Sequence, residues 1–452
     1  MDREAFASFS HDDLVSLILA QAQQISMLTA RISELEARLC APGKTPHNSS
    51  LPPSKGQKPN LPGPAGKKPR RTRPGVARAL AGKPDKVLDT ALDVCPHCTH
   101  PLAAEDQPGI HAYDHIDLPP IHPIVTRINR HRGICPCCRK RFVAPAPPGM
   151  QPGSPFGPGL CALIIHLHIT QAISFERLAG IMAEVFGVTI SEGAIANILA
   201  RAEAPLLAAG APIAEAVRRS AVVGSDETSA RVCGKNWWQW VLVSSTAICH
   251  VIAESRAADA VIPGFLAGAR PEIWVADRYG GQRHHGAARQ MCLAHLLRDA
   301  AFAIEEGDTG FAPGFRRLLL RSVTIGRRRD MLKDTTLARY RVDLDARLDQ
   351  LLWAPMPTHK AARRLFRAMT RDRHDLFRFI TRRDVPYTNN ASERALRPSV
   401  IFRKVTNGFR SKWGASVYGA ASTVIATGRL HSLTALQALQ AALAGTPILP
   451  TA

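Results

Sequence analysis

Two acids and two cysteine pairs are the first residues of this chain whose types and spacing suggest chemistry. Asp226 follows the apolar run VVGS and Asp277 follows IWVA, so each acid ends a stretch that reads as a buried strand. Two such carboxylates brought side by side repel, and a divalent cation relieves the repulsion. Hard cations such as Mg²⁺ take oxygen ligands. Two ions about 3.5–4 Å apart activate an attacking oxygen and stabilise a leaving one. A pair of ion positions calls for a third carboxylate. Glu393 lies in YTNNASERALRP, where Asn389 or Asn390 can cap a helix and Arg394 and Arg397 suit phosphate. Read alone, Glu393 is an acid on a helix surface, and composition and periodicity do not select it.

The cysteine pairs point to a second metal. CPHC sets Cys95 and Cys98 three apart, and CPCC does the same for Cys135 and Cys138, with Cys137 between. Two such knuckles on a small β unit match a tetrahedral zinc site with four cysteine ligands. Residues 87–145 hold both pairs, and the stretch between them has the alternation of strands. A unit of about fifty residues builds a core with difficulty, and zinc would take its place. Four protein ligands leave no open position, so this zinc is structural. His97, His100 and Cys137 read as bystanders.

The elements that must position these residues follow from the pattern along the chain. From residue 221, AVVGSDET, WWQWVLVSS and AICHVIAES read as three strands, RAADAVIPGFLAG as a helix, and PEIWVADRYG as a fourth strand. Three strands, a helix and a strand is the order of a ribonuclease H-like α/β core, in which the first and fourth strands are neighbours. That order brings Asp226 to Asp277. The catalytic unit spans 221–410 with a helical insertion at about 290–385, and 411–452 is a C-terminal helical segment. On the first helix of the insertion, in CLAHLLRD, His295 is placed to contact a phosphate or order an acid, and Arg298 lies one turn on as a phosphate contact. Trp237, Trp238 and Trp240 read as strand packing, and Trp413 in FRSKWG as a base-stacking candidate.

Upstream, residues 159–220 read as helical. SFERLAGIMAEVF, a turn at Gly187, and a second helix capped by Ser191 form a helix-turn-helix-like pair. Residues 41–86 are a Pro/Gly-rich basic arm in which Lys67, Lys68, Arg70, Arg71 and Arg73 suit DNA phosphates. Residues 1–40 contain a heptad seam of Leu14, Ile18, Ile25, Leu28, Ile32, Leu35 and Leu39, interrupted by Gln21, which predicts self-association as a coiled coil.

Fifty-eight Lys and Arg against 37 Asp and Glu give a net charge of +21, which suits a polyanionic partner. The sequence has no long apolar run and no secretion signal, so a membrane partner is not expected. Together with the unpaired cysteine pattern this predicts a reducing cytoplasmic setting, associated with the nucleoid.

The chain resembles the insertion sequence 66 family of bacterial DDE transposases. The resemblance is carried in order by NSSLPPSK at 48–55, the cysteine pairs, GSDETSARV at 224–232, WWQWVLVSS at 237–245, VADRYGG at 275–281, CLAHLLRD at 292–299, TNNASERALRP at 388–398 and GAASTVIATGRL at 419–430. It implies a ribonuclease H-like nuclease whose catalytic triad, binding Mg²⁺ or Mn²⁺, falls on Asp226, Asp277 and Glu393. It also implies cleavage at the ends of a mobile element, joining of the 3′ ends to target DNA, and smaller element-encoded accessory proteins as partners. Arg278 stands where the family often has Gly, and Thr388 and Ser392 where it often has Asp and Ala; no triad acid is touched. The alternative is an inactive DNA-binding regulator derived from such an enzyme, which the loss of a carboxylate would favour.

Overall fold

The computed structural model describes residues 10–40 and 78–449, side chains of 34–40 excepted. The basic-arm residues Lys67, Lys68, Arg70, Arg71 and Arg73 lie outside the described residues, as do the side chains of Leu35 and Leu39. Helix α1 spans His11–Cys40. Strands β1 (Arg132–Ile134) and β2 (Arg141–Val143) form a small antiparallel pair. Three helices follow: α2 (Pro158–Gln171), α3 (Phe175–Phe186) and α4 (Glu192–Arg218). The turn between α3 and α4 forms as its residues require. Gly187 takes φ 64° as the C-cap of α3, a conformation glycine adopts without steric cost. The Ser191 hydroxyl accepts the backbone N–H of Ala194 and caps α4.

The central sheet comprises β3 (Val222–Val232), β4 (Lys235–Val243), β5 (Ile248–Ala253), β6 (Ile273–Ala276) and β7 (Ala288–Met291), with α5 (Ala258–Leu266) between β5 and β6. Their spatial order is β5-β4-β3-β6-β7. The first three strands in sequence pair antiparallel, and β6 and β7 run parallel to β3. Cys233 and Gly234, both at positive φ, make the tight turn between β3 and β4. After β7 the chain is helical: α6 (Leu293–Glu305), α7 (Phe311–Arg328), α8 (Asp334–Leu352), α9 (Lys360–Asp372) and α10 (Arg378–Thr381). The last helices are α11 (Asn390–Thr406), α12 (Lys412–Leu430) and α13 (Ala435–Leu443).

The sheet separates two apolar cores, because successive strand residues face opposite sides. On β6, Trp274 and Ala276 join the core built with α2–α5, α12 and α13. Ile273 and Val275 join the core built with α6–α10. Both faces are covered, which is why all four β6 residues are buried and read as a continuous apolar run. Helix α11 seats Leu396 on Val241 and Val243 of β4, on the side of the sheet that carries the second core.

The structure departs from the sequence reading at two points. The segment between the cysteine pairs is not strand-rich: between Cys98 and Cys135 only Arg132–Ile134 is a strand. Asp226 is not at a strand end, since β3 continues to Val232. What ends there is the parallel pairing, whose last register pair is Gly224 with Val275; beyond it β3 runs on against β4 alone.

Candidate active site

Register brings the first two acids together. Asp226 and Asp277 each lie two residues past the Gly224–Val275 pair, so they sit at the same level of adjacent parallel strands. Each has the parity of the residues facing the α6–α10 core, so both point to the side of the sheet that α6 and α11 approach. The chain turns immediately after β6, where the Asp277 carboxylate accepts the backbone N–H of Tyr279 at 2.8 Å.

The third acid arrives on α11, and Asn389 fixes where that helix starts. Asn389 is fully buried at the N-cap position, yet its side chain does not cap α11. Its Nδ2 donates to the Ser225 carbonyl at 2.8 Å, and its Oδ1 accepts the Ser392 hydroxyl at 2.8 Å. Its backbone N–H donates to Cys292 Sγ at 3.1 Å. One side chain thus ties the first turn of α11 to β3 beside Asp226, and the backbone ties it to the residue preceding α6. Close approach needs Gly224: a Cβ there would lie 3.0 Å from Ser392 Oγ and 3.4 Å from Asn389 Oδ1. For Asn389 this replaces the expected capping role with a cross-element one.

Glu393 then faces α6. Its Oε1 lies 3.6 Å from His295 Nδ1 and 3.9 Å from the Arg298 guanidinium. Both distances exceed a hydrogen bond. Glu393 Oε1, His295 Nδ1 and Arg298 Nε are buried atoms with no hydrogen-bond partner. Burial and the neighbouring Arg298 charge hold the His295 pKa below its usual value, against the pull of Glu393, Asp277 and Asp299. Burial thus disfavours the charged imidazolium of His295 beside Glu393. Arg278, at the position where the family often has Gly, bonds Asp299 of α6 at 2.6 Å.

Asp226 carries the electrostatic load. Burial, then the charges of Asp277, Glu227 and Glu393, push its pKa up to about 8, opposed by the hydrogen bond from the Glu227 backbone. Glu227, on the opposite face of β3, is also raised by burial and by Asp277. It is held by Arg256 at 3.2 Å and by Gln282 Nε2 at 3.3 Å, and Gln282 in turn accepts the Trp274 indole N–H. A site where burial and neighbouring carboxylates raise one carboxyl's pKa to about 8, and where Glu393 Oε1 is buried without a partner, has the donor set a divalent cation satisfies. Sequence reasoning missed Glu227, Gln282, Arg256 and Cys292 as neighbours of this site. Adjacency in GSDET pointed at Glu227, and Cys292 opens the motif CLAHLLRD; nothing local pointed at Gln282 or Arg256.

Of the remaining expected residues, Arg394 and Arg397 are exposed on α11. Trp240 is buried in the sheet, and Trp238 lies under the Arg256 guanidinium at 4.8 Å. The cysteine pairs form two matching knuckles. Cys95 N–H bonds the His100 carbonyl and Thr99 N–H the Cys95 carbonyl; Cys135 with Lys140, and Arg139 with Cys135, repeat this. Thr99 and Arg139 both take positive φ. Backbone amides of His97 and Cys98 lower the Cys95 thiol pKa, and those of Cys138 and Cys137 lower that of Cys135. The structure does not draw the two knuckles into one cluster. Among the described residues, the group of three His, Cys, Asp or Glu ligand atoms mutually within 4.8 Å is Cys292, His295 and Glu393.

The model of the transposase IS66 family matches residues 153–417, more than half of the chain and every element of the site. No curated protein matches the chain.

Proposed function

From the premise that the chain belongs to the transposase IS66 family, we propose that it cleaves DNA strands at the ends of an insertion sequence and joins the 3′ ends to target DNA. The sheet order and strand directions support reading the catalytic unit as ribonuclease H-like. The observation that supports this is the placement of Asp226 on β3, Asp277 just past β6 and Glu393 on α11 toward one face of the sheet, with the Asp226 pKa raised to about 8 first by burial and then by Asp277, Glu227 and Glu393. These three would hold Mg²⁺ or Mn²⁺. When bound, such ions activate an attacking water or 3′-hydroxyl and stabilise the leaving oxygen of an in-line displacement.

The chain's own residues do the rest. Asn389 sets the position of Glu393 against β3. His295 and Arg298 flank Glu393 Oε1 from α6. Arg394 and Arg397, exposed on the helix that carries Glu393, are placed to meet phosphates of the bound strand. The α3–α4 pair, the arm at 41–86 and the overall +21 charge are read as further DNA contacts. Although the two knuckles stand apart in the structure, their matching turns support reading them as two halves of one structural Zn²⁺ site. Helix α1 is read as the self-association element, and element-encoded accessory proteins as further partners.

The test is strand cleavage and joining with labelled element ends, with and without Mg²⁺. Wild type should require the ion. Glu393→Gln keeps size and removes charge, and should lower cleavage by more than about 100-fold, beyond what supporting residues of metal sites cost. DNA affinity should stay within a few-fold. Cleavage by the Gln variant near the wild-type rate would move the third ligand elsewhere.

A further inference from the structure

The close group at the start of α6 differs in kind from the triad. Cys292, His295 and Glu393 offer a sulfur, a nitrogen and an oxygen, all within 4.8 Å of one another. Cys292 and His295 lie three apart at the start of a helix, which puts them on one face, one turn apart. Two of the three ligand atoms have unspent capacity: His295 Nδ1 and Glu393 Oε1 are buried, unpartnered and 3.6 Å apart. Around one tetrahedral zinc, donor atoms stand roughly 3.3–3.8 Å apart, given bond lengths of about 2.0–2.3 Å. Small side-chain movements would close the group on a single ion. A thiolate and an imidazole select zinc and similar thiophilic cations, whereas Mg²⁺ disfavours sulfur.

We propose that Cys292, His295 and Glu393 form a site for a thiophilic divalent cation, Zn²⁺ above all, whose occupancy withdraws Glu393 from Asp226 and Asp277 and inhibits strand cleavage. This rests on the triad reading for its consequence, but not for the site itself. Binding releases the Cys292 thiol proton to solvent and uses the imidazole of His295 in its neutral form. Three protein ligands leave one position of the ion open. The same glutamate then serves two metal chemistries that exclude each other, and zinc becomes an off-switch built into the catalytic centre.

Cobalt(II) is the spectroscopic probe, because thiolate coordination gives it a near-ultraviolet charge-transfer band. Full-length protein with Cys95, Cys98, Cys135 and Cys138 all changed to Ser removes the knuckle signal. It should still take up cobalt with a thiolate band, and Zn²⁺ should bleach that band. Adding Cys292→Ser should abolish it. Absence of the band in the knuckle variant overturns the site, whatever the behaviour of Cys292→Ser. In cleavage assays at fixed Mg²⁺, zinc should inhibit wild type. Cys292→Ser, referred to its own zinc-free rate, should need about 10–100-fold more zinc for half-inhibition. A cobalt band without zinc inhibition overturns the competition for Glu393. Failure of the triad reading would show separately, as wild type inert in Mg²⁺ alone, and the cobalt band would still decide the site.

Discussion

Asp226 is where the fold bears the cost of its site. Its carboxyl is lifted from 3.8 to about 8 by burial and by three neighbouring acids. A carboxyl raised on folding is easier to hold protonated, so folding loses stability as pH climbs from the unfolded value of about 4 through about 8. Below about pH 4 the penalty is absent; above about 8 it is complete. Asp226→Asn removes the charge at the same size. In chelator, its melting temperature should exceed that of wild type at pH 8, by about 2 °C or more, and match it near pH 4. Added Mg²⁺ should raise wild type and leave the variant behind. Equal melting temperatures of wild type and variant at pH 8 would show that burial and the neighbouring acids do not raise this carboxyl as described. Asn389 gives the opposite case. Asn389→Ala strands the Ser225 carbonyl and the Ser392 hydroxyl in a buried place, and should cost about 1–3 kcal/mol in denaturant unfolding. The two residues also differ in how far sequence reveals them. Asp226 and Asp277 are visible because apolar runs precede them. Glu393 was legible only through its motif, since one acid in a helix has no periodic signature. The staple made by Asn389 depends on the β3 register, which no local pattern encodes.

At the scale of elements, helices and sheet strands were legible because each buries a continuous or periodic apolar face. The segment at 112–131 shows where that reasoning stops. It alternates like a strand, yet Pro119, Pro120 and Pro123 remove backbone donors, and Ile124 and Val125 are 95% and 88% exposed, so no partner rewards pairing. The two knuckle turns, at 95–100 and 135–140, lie on either side of it. Cys98→Ser should release zinc and unfold residues 87–145 while the nuclease core stays folded, as read by metal analysis and limited proteolysis. Native protein without zinc would sink that reading. Helix α1 is the second case of an element short of partners. Ile18, Ile25, Leu28 and Ile32 are 63%, 64%, 56% and 55% exposed along its seam. Pairing two copies would bury them at about 1.5–3 kcal/mol per fully covered side chain. Removing α1 should therefore lower the solution mass in light scattering, and a full chain already monomeric at micromolar concentration would give the seam another purpose.

For the whole molecule, the two cores and the shared sheet form one platform, while the charge is distributed well beyond it. The site face presents Arg394 and Arg397 near Glu393, and the arm at 41–86 carries Lys67, Lys68, Arg70, Arg71 and Arg73. Recognition of a polyanion by such a surplus is driven by release of counterions, so affinity must fall steeply with salt. Each phosphate contact adds about 0.9 to the slope of log affinity against log salt on duplex DNA. If the five named cations engage, deleting 44–86 should flatten that slope by about 4.5, and by more if the other six Lys and Arg of that segment engage as well. Binding measured across salt for full-length and arm-deleted protein separates an arm that tracks phosphates from a spacer. In the first case the two lines converge at high salt, because the arm contributes electrostatic affinity alone. In the second they are parallel, and the surplus charge acts from the platform. Asn or Gln at the three triad positions should leave full-length binding within a few-fold, since these changes remove negative charge from the site without touching the arm. A triad variant that lost DNA binding outright would place the acids, rather than the cationic surface, at the centre of recognition.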